Sequence, residues 1–391
     1  MTATATELYT GKYGIMDTDG HIVEPADLWT GELMEAKYKG RGLQFGRTAD
    51  GLHLQLDGQF LRGNDLKSVQ SIMGMGRSLV EMEEMKMEWP GDADRAGYDP
   101  VARLGRADAE GLAYTAIFPS LGLLWNTHIT DIELAHAMCR AYNRWVIDFC
   151  AGSHGRLVPV AHAFLGDPQV AAADLKSAVE AGAKGAMLVT FNVRKLPLGD
   201  PEWDPFYATA QDLNVPICIH VSGETREYRP FSRIQPKILH DGGQFLMSVL
   251  GGRVAMEIAL VDMFQYGLFE RFPRLRVGFF EGGAGWVSSL LDKMEAVFDT
   301  QVGERGVKRT QRPREVFAQQ CFVSGDPDEK GWAKTIEDFG PYQFGWASDF
   351  PHPDHPGNYM EHLAHLAASL HTPEARNGLM GDAAVRFFGL A

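Results

Sequence analysis

Eight short apolar runs, each followed by a stretch of helical period, predict an α/β fold, a (β/α)8 TIM-type barrel. The runs are almost continuously apolar rather than alternating, as parallel strands buried on both faces are. Several end on a polar residue, which suits strands whose C-terminal ends build the mouth of a barrel. A chain of 391 residues without short-period repeats or low-complexity linkers fits one domain, 1–391, with about 30–100 as an N-terminal insertion acting as a cap.

The first strand runs from Ile15 into Asp17-Thr18-Asp19-Gly20-His21-Ile22-Val23-Glu24, and Pro25 forbids a helix across Glu24. Side chains two apart in a strand share a face, so Asp19 and His21 project together. Within the insertion, alternating apolar residues flank Asp57-Gly58, a two-residue hairpin turn. Met73, Met75, Met82, Met85 and Met87 suit either core filling or an adaptable pocket wall. Asp99-Pro100 caps and opens a helix that Glu110-Gly111 ends.

Strands are then expected at 114–118, 157–164, 185–190, 215–220, 275–281, 321–324 and 344–349, with helices at 131–150, 168–181, 205–213, 284–298 and 332–339 between them. The 244–272 stretch reads as helix with an interruption near Gly251-Gly252. Two helices follow the last strand.

Composition narrows the function. With a net charge of -14 and no Lys/Arg cluster, nucleic acid and anionic membrane surfaces are poor partners. No stretch is long enough to span a bilayer and no signal-like segment opens the chain, so a cytoplasmic protein is expected. Cys139, Cys150, Cys218 and Cys321 lack CxxC spacing and read as reduced, buried thiols.

The chemistry lies at the strand ends. Asp19 and His21 end the first apolar run and His220, Glu281 and Asp349 end three others, and all are oxygen or nitrogen donors suited to a divalent cation. A lone histidine ending an apolar strand is more often core than ligand. Five donors converging on one mouth reverse that balance. Glu281 has a competing reading as a carboxylate capping the helix that begins near Gly283. His352 and His240 are candidate catalytic groups near the mouth, His355 a weaker one, and His162 a candidate substrate contact. Arg226, Tyr228 and Arg229 follow the fifth strand in a loop and suit either solvent or a substrate anion. No Gly-x-Ser-x-Gly elbow occurs. Cys218 shares the face of His220, but its apolar strand offers nothing to lower a thiol pKa.

Asp19-Gly20-His21, His220, Phe272-Pro273-Arg274-Leu275-Arg276 before Glu281-Gly282-Gly283-Ala284-Gly285-Trp286, Ser348-Asp349-Phe350-Pro351-His352 and the closing Gly381–Leu390 segment resemble the amidohydrolase-related group. That group includes aminocarboxymuconate semialdehyde decarboxylase, resorcylate-type decarboxylases and hydrolases. The resemblance implies Asp19, His21, His220 and Asp349 as metal ligands and a homodimer. The related decarboxylases place a histidine where Glu281 stands; a carboxylate there suits a general base or a second ion. The expected function is a metal-dependent hydrolase with one or two divalent ions (Zn, Fe or Mn), in which Asp349 or Glu281 takes the proton of a water attacking a small-molecule amide, lactone, ester or thioester. The alternatives are a non-oxidative decarboxylase of a small carboxylic acid and a non-catalytic binding barrel.

Overall fold

The computed structural model describes residues 3–49, 51–65, 73–78, 80–81, 84, 89–190, 192–222, 243–301, 309–329, 331–353 and 357–391. Eight parallel strands form one sheet in the order β1 (Ile15–Ile22), β5 (Leu112–Pro119), β6 (Leu157–His162), β7 (Gly185–Val189), β8 (Ile217–His220), β9 (Val277–Phe280), β10 (Cys321–Gly325) and β11 (Phe344–Trp346). Between β1 and β5 lies a separate antiparallel sheet of β2 (Gln44–Thr48), β3 (Gly51–Leu56) and β4 (Gln59–Asp65). The Asp57-Gly58 turn between β3 and β4 has both φ angles positive, 48° and 76°, as that turn demands. β2 was not anticipated, because its residues carry no apolar alternation.

The sheet curls into a barrel whose two end strands, β1 and β11, meet at a seam. The Asp349 N–H donates to Asp19 O at 2.9 Å and the His21 N–H to Phe350 O at 2.7 Å. One level down, the Ser348 N–H donates to Asp17 Oδ1 at 2.9 Å and Thr18 Oγ1 to Trp346 O at 2.7 Å. Inside the barrel Met16, Phe118, Val160, Met187, Cys218, Phe280 and Phe322 form one buried cluster with Phe387 of the helix Ala383–Phe387. The Phe322 and Phe387 rings stack with centroids 4.5 Å apart. The closing helix therefore plugs the floor of the barrel and leaves the C-terminal strand ends as its working face.

One helical expectation is corrected. Gly243–Gln265 runs unbroken through Gly251-Gly252, and the break comes at Gly267, whose φ of 75° is left-handed. Gly252 serves close packing instead, since a Cβ there would stand 2.5 Å from Glu281 O. The helix Pro313–Gln320 before β10 was likewise not anticipated.

The insertion reaches the mouth at two points. Trp89 Nε1 donates to Glu24 O at 2.7 Å, and the Met75 N–H to Pro351 O at 3.1 Å. Met73 and Met75 line a cavity of about 290 Å³ with Phe350 and Pro351, as an adaptable wall would; Met82, Met85 and Met87 lie outside the described residues. All four cysteines are free and buried, and among the described residues no helix is long and apolar enough to cross a membrane.

Candidate metal centre

Strand alternation and two backbone irregularities aim the donors at one point. In the lower half of β1, Met16 faces the barrel interior. Between Asp17 and Gly20 the register advances three residues on β1 against two on β5, from Asp17↔Thr115 to Gly20↔Ile117. This bulge inserts one residue and flips the inward face, so that Asp19 and His21 point inward and Ile22 outward. On β8, Cys218 and His220 hold the inner face by simple alternation. On β9 the inward residue is Phe280, which would turn Glu281 away. Glu281 instead adopts φ 57°, and Asp349 φ 52°, left-handed conformations that swing both carboxylates over the mouth.

The donors then lie against one another. His21 Nε2 is 3.4 Å from Asp19 Oδ1 and 3.1 Å from Asp349 Oδ1. His220 Nε2 is 3.5 Å from Asp19 Oδ2 and 3.4 Å from Glu281 Oε2. Asp19, His21 and His220 are wholly buried. Two groups of ligand atoms fall within 4.8 Å of one another: Asp19, His21 and His220, and His21, Glu281, Asp349 and His352.

The hydrogen bonds show which protonation state each group holds. His21 Nδ1 is 2.8 Å from Pro119 O and His220 Nδ1 is 2.7 Å from Val221 O. A carbonyl only accepts, so Nδ1 carries the proton in both rings and Nε2 presents a bare lone pair. Burial and the charge of His352 push His21 down to about 4, which keeps it neutral at ordinary pH. Burial would raise the Asp349 carboxyl, but the charge of the adjacent His352 pulls it down, and the group is held well below the usual carboxylate range.

Lone pairs therefore face carboxylate oxygens. Among the described residues neither Nε2 atom nor either oxygen of Asp19 has a hydrogen-bond partner. Such an arrangement is repulsive unless a cation sits among the atoms. The residues present fit a divalent ion, and the mixed N/O set suits Zn, Fe or Mn.

Two further groups extend the site. His352 Nδ1 is 2.9 Å from Asp349 Oδ1, its ring stacks on His21 at 3.9 Å between centroids, and its Nε2 is 2.9 Å from Ser120 Oγ. The loop carrying Ser120 is pinned by Glu24, which accepts the N–H groups of Ser120, Leu121 and Gly122 at 3.1, 2.9 and 2.9 Å. Behind the bulge, Arg103 Nη1 donates to His21 O at 3.0 Å.

The structure thus brings together Asp19, His21, His220, Glu281, Asp349 and His352. His240, His355, Arg226, Tyr228 and Arg229 lie outside the described residues. Glu281 does not cap the following helix: Glu329 does, accepting the N–H groups of Ala284 and Gly285 at 2.7 and 3.3 Å. Burial raises the Cys218 thiol far above its ordinary value, consistent with a packing role. Ser120, Glu24 and Arg103 escaped the sequence reading. Ser120 was findable, since it follows the C-terminal end of β5 just as the other donors end their strands.

Comparison with known proteins bears on the family and the fold. The family model described as Amidohydrolase matches residues 17–390. A crystal structure of an amidohydrolase from Mycobacterium avium subsp. paratuberculosis superposes with TM-score 0.79 at 20% identity, covering 97% of this chain and 100% of that one. The 5-carboxyvanillate decarboxylase of Novosphingobium aromaticivorans, complexed with manganese and 4-hydroxy-3-methoxy-5-nitrobenzoic acid, gives TM-score 0.64 at 16% identity, covering 98% of each chain. A dihydroxybenzoic acid decarboxylase from Polaromonas, with bound manganese and 2-nitroresorcinol, gives 0.65 at 15%, covering 97% of this chain and 98% of that one. By its match over residues 17–390, this chain belongs to the amidohydrolase family, among structural neighbours that include decarboxylases with bound manganese.

Proposed function

We propose that the protein is a metal-dependent, non-oxidative decarboxylase of a small carboxylic acid. The observation that carries this reading is the buried Asp349–His352–Ser120 chain, with contacts of 2.9 Å on both sides of the imidazole, lying against the candidate ligand His21. Its support from outside the molecule is the manganese-binding decarboxylases of the same fold. Asp19, His21, His220 and Asp349 would hold the cation, which supplies Lewis-acid polarisation of substrate oxygens.

In the reaction the bond from the carboxylate to its carbon breaks, the electron pair stays on that carbon, carbon dioxide leaves and one proton arrives. The Asp349–His352 pair, 2.9 Å apart at Nδ1, can hold a proton taken up from solvent and deliver it to that carbon once carbon dioxide has left. Ser120 fixes the other edge of the ring, and Glu24 fixes Ser120. Asp19, His21, Ser120, His220 and Asp349, all buried, help exclude water from the carbanionic centre.

Hydrolysis is the second reading, favoured by Glu281. A carboxylate 3.4 Å from His220 Nε2 is placed to act as a base on water. In either reading about residues 30–100 are taken as a cap over the mouth, and the protein as a cytoplasmic homodimer. The test is carbon dioxide release by manganese-loaded protein from a panel of hydroxybenzoates and 5-carboxyvanillate, run beside acyl-ester hydrolysis. Carbon dioxide release supports the first reading. Ester cleavage alone would replace it with the second, and protein that takes up no metal would point to a binding barrel.

A further inference from the structure

The barrel mouth holds a fourth imidazole that neither the candidate metal set nor the Asp349–His352–Ser120 chain uses. His162 ends β6, where Val158 and Val160 belong to the inner cluster, and it continues their face. It is 1% exposed, and among the described residues neither of its ring nitrogens has a hydrogen-bond partner. Its backbone, by contrast, is clamped from both sides by one buried side chain. Asn143 Oδ1 accepts the His162 N–H at 2.7 Å, and Asn143 Nδ2 donates to His162 O at 3.1 Å.

A second unpartnered donor stands beside it. Trp125, in the loop after β5, is fully buried, its ring centroid is 5.1 Å from that of His162, and its Nε1–H is unpartnered among the described residues. Gly122 allows the close approach: a Cβ there would stand 3.3 Å from His162 Nδ1 and 2.6 Å from Pro119 Cβ. Buried polar groups are ordinarily satisfied, so two adjacent orphans on a rigidly held strand end await a ligand that completes them.

We propose that His162 and Trp125 form a recognition subsite for a neutral hydroxyl group of the substrate, on the β6 side of the mouth. The inference rests on the decarboxylase reading and narrows its substrate class to hydroxylated acids. Donor and acceptor counting gives the chemistry. A neutral imidazole offers one N–H and one lone pair, and indole offers one N–H. A hydroxyl can accept from one and donate to another, whereas a carboxylate leaves the imidazole lone pair facing negative charge. Burial pushes His162 down to about 3, so the ring stays neutral and favours no anion.

The test is calorimetric binding to manganese-loaded protein of benzoate and of 2-, 3- and 4-hydroxybenzoate. Wild type is compared with His162→Phe, His162→Gln and Trp125→Phe, each checked for folding by thermal unfolding. At least one hydroxybenzoate is expected to bind wild type tighter than benzoate by about tenfold or more. That advantage should disappear in His162→Phe, shrink in Trp125→Phe and partly return in His162→Gln, with benzoate affinity unchanged. A hydroxyl advantage that survives His162→Phe, as chelation at the metal would, overturns the assignment. Equal loss for benzoate and hydroxybenzoates overturns it too, as a structural effect. Wild type that binds manganese and all four probes equally overturns the subsite alone. Wild type that binds manganese and none of them overturns the decarboxylase reading along with it.

Discussion

Replacing Gly20 with alanine tests the bulge that orients the β1 ligands. A Cβ at this position would stand 2.4 Å from Arg103 Nη2, 2.9 Å from Thr115 Cγ2 and 3.0 Å from Asp17 Oδ2. Thr115 is a β-branched neighbour on β5 that is 2% exposed and has nowhere to turn. The Arg103 guanidinium is flexible in principle, but it is held by His21 O at 3.0 Å and lies over the Phe350 ring at 4.8 Å. If it moves, it gives up both contacts and leaves the buried Asp17 without its cation. Overpacking costs about 1–3 kcal/mol, and a lost charged hydrogen bond about 1.5–3 kcal/mol. The two overlap, giving about 3–5 kcal/mol in all. Urea unfolding of metal-free protein measures this directly. The same substitution at Gly105, mid-helix with nothing within 4 Å, is the control and should gain up to about 1 kcal/mol. Gly20→Ala within about 0.5 kcal/mol of wild type, with metal uptake intact, would refute the packing described here.

Other expectations follow from the site's electrostatics. Asp19→Asn should abolish stoichiometric manganese uptake yet raise the stability of metal-free protein by about 1–3 kcal/mol, because an amide N–H replaces an anion facing two lone pairs. Elemental analysis and urea midpoints read the two halves separately, and destabilisation would show that the facing is not repulsive. Burial pushes the Glu24 carboxyl up to about 7, partly offset by the N–H groups of Leu121, Gly122 and Ser120. Its folded-state value is raised above the ordinary 4.5, so its contribution is fully present below 4.5 and is lost as pH rises through 7. The loss amounts to about 3 kcal/mol. Glu24→Gln, neutral throughout, should lack that slope, and parallel pH–stability curves for the two proteins would contradict it.

Much of this architecture could be read from residue order. Continuous apolar runs marked the barrel strands, because parallel strands buried on both faces leave no polar alternation to confuse the reading. Donors that end such runs, His220 above all, needed only period two to be aimed correctly. What escaped depended on local backbone geometry or on distant partners. The extra residue before Gly20 is invisible as a pattern, although it decides which β1 side chains face inward. Left-handed φ at Glu281 and Asp349 breaks the alternation that a strand pattern assumes. Gly251-Gly252 looked like a helix breaker because nothing nearby in sequence reveals the Glu281 carbonyl packed against Gly252. Arg103 and Glu24 look like ordinary charges until the fold brings His21 and the Ser120 loop to them, 82 and 96 residues away in sequence.

The claim beneath all of this is that Asp19, His21, His220 and Asp349 share one cation. A manganese-edge anomalous difference map from chelator-free crystals tests it most directly. The account predicts a peak within about 2.5 Å of His21 Nε2, His220 Nε2 and oxygens of Asp19 and Asp349. A fully manganese-loaded crystal with its peak elsewhere, or with His21 Nε2 and His220 Nε2 bonded to protein donors instead, would contradict it.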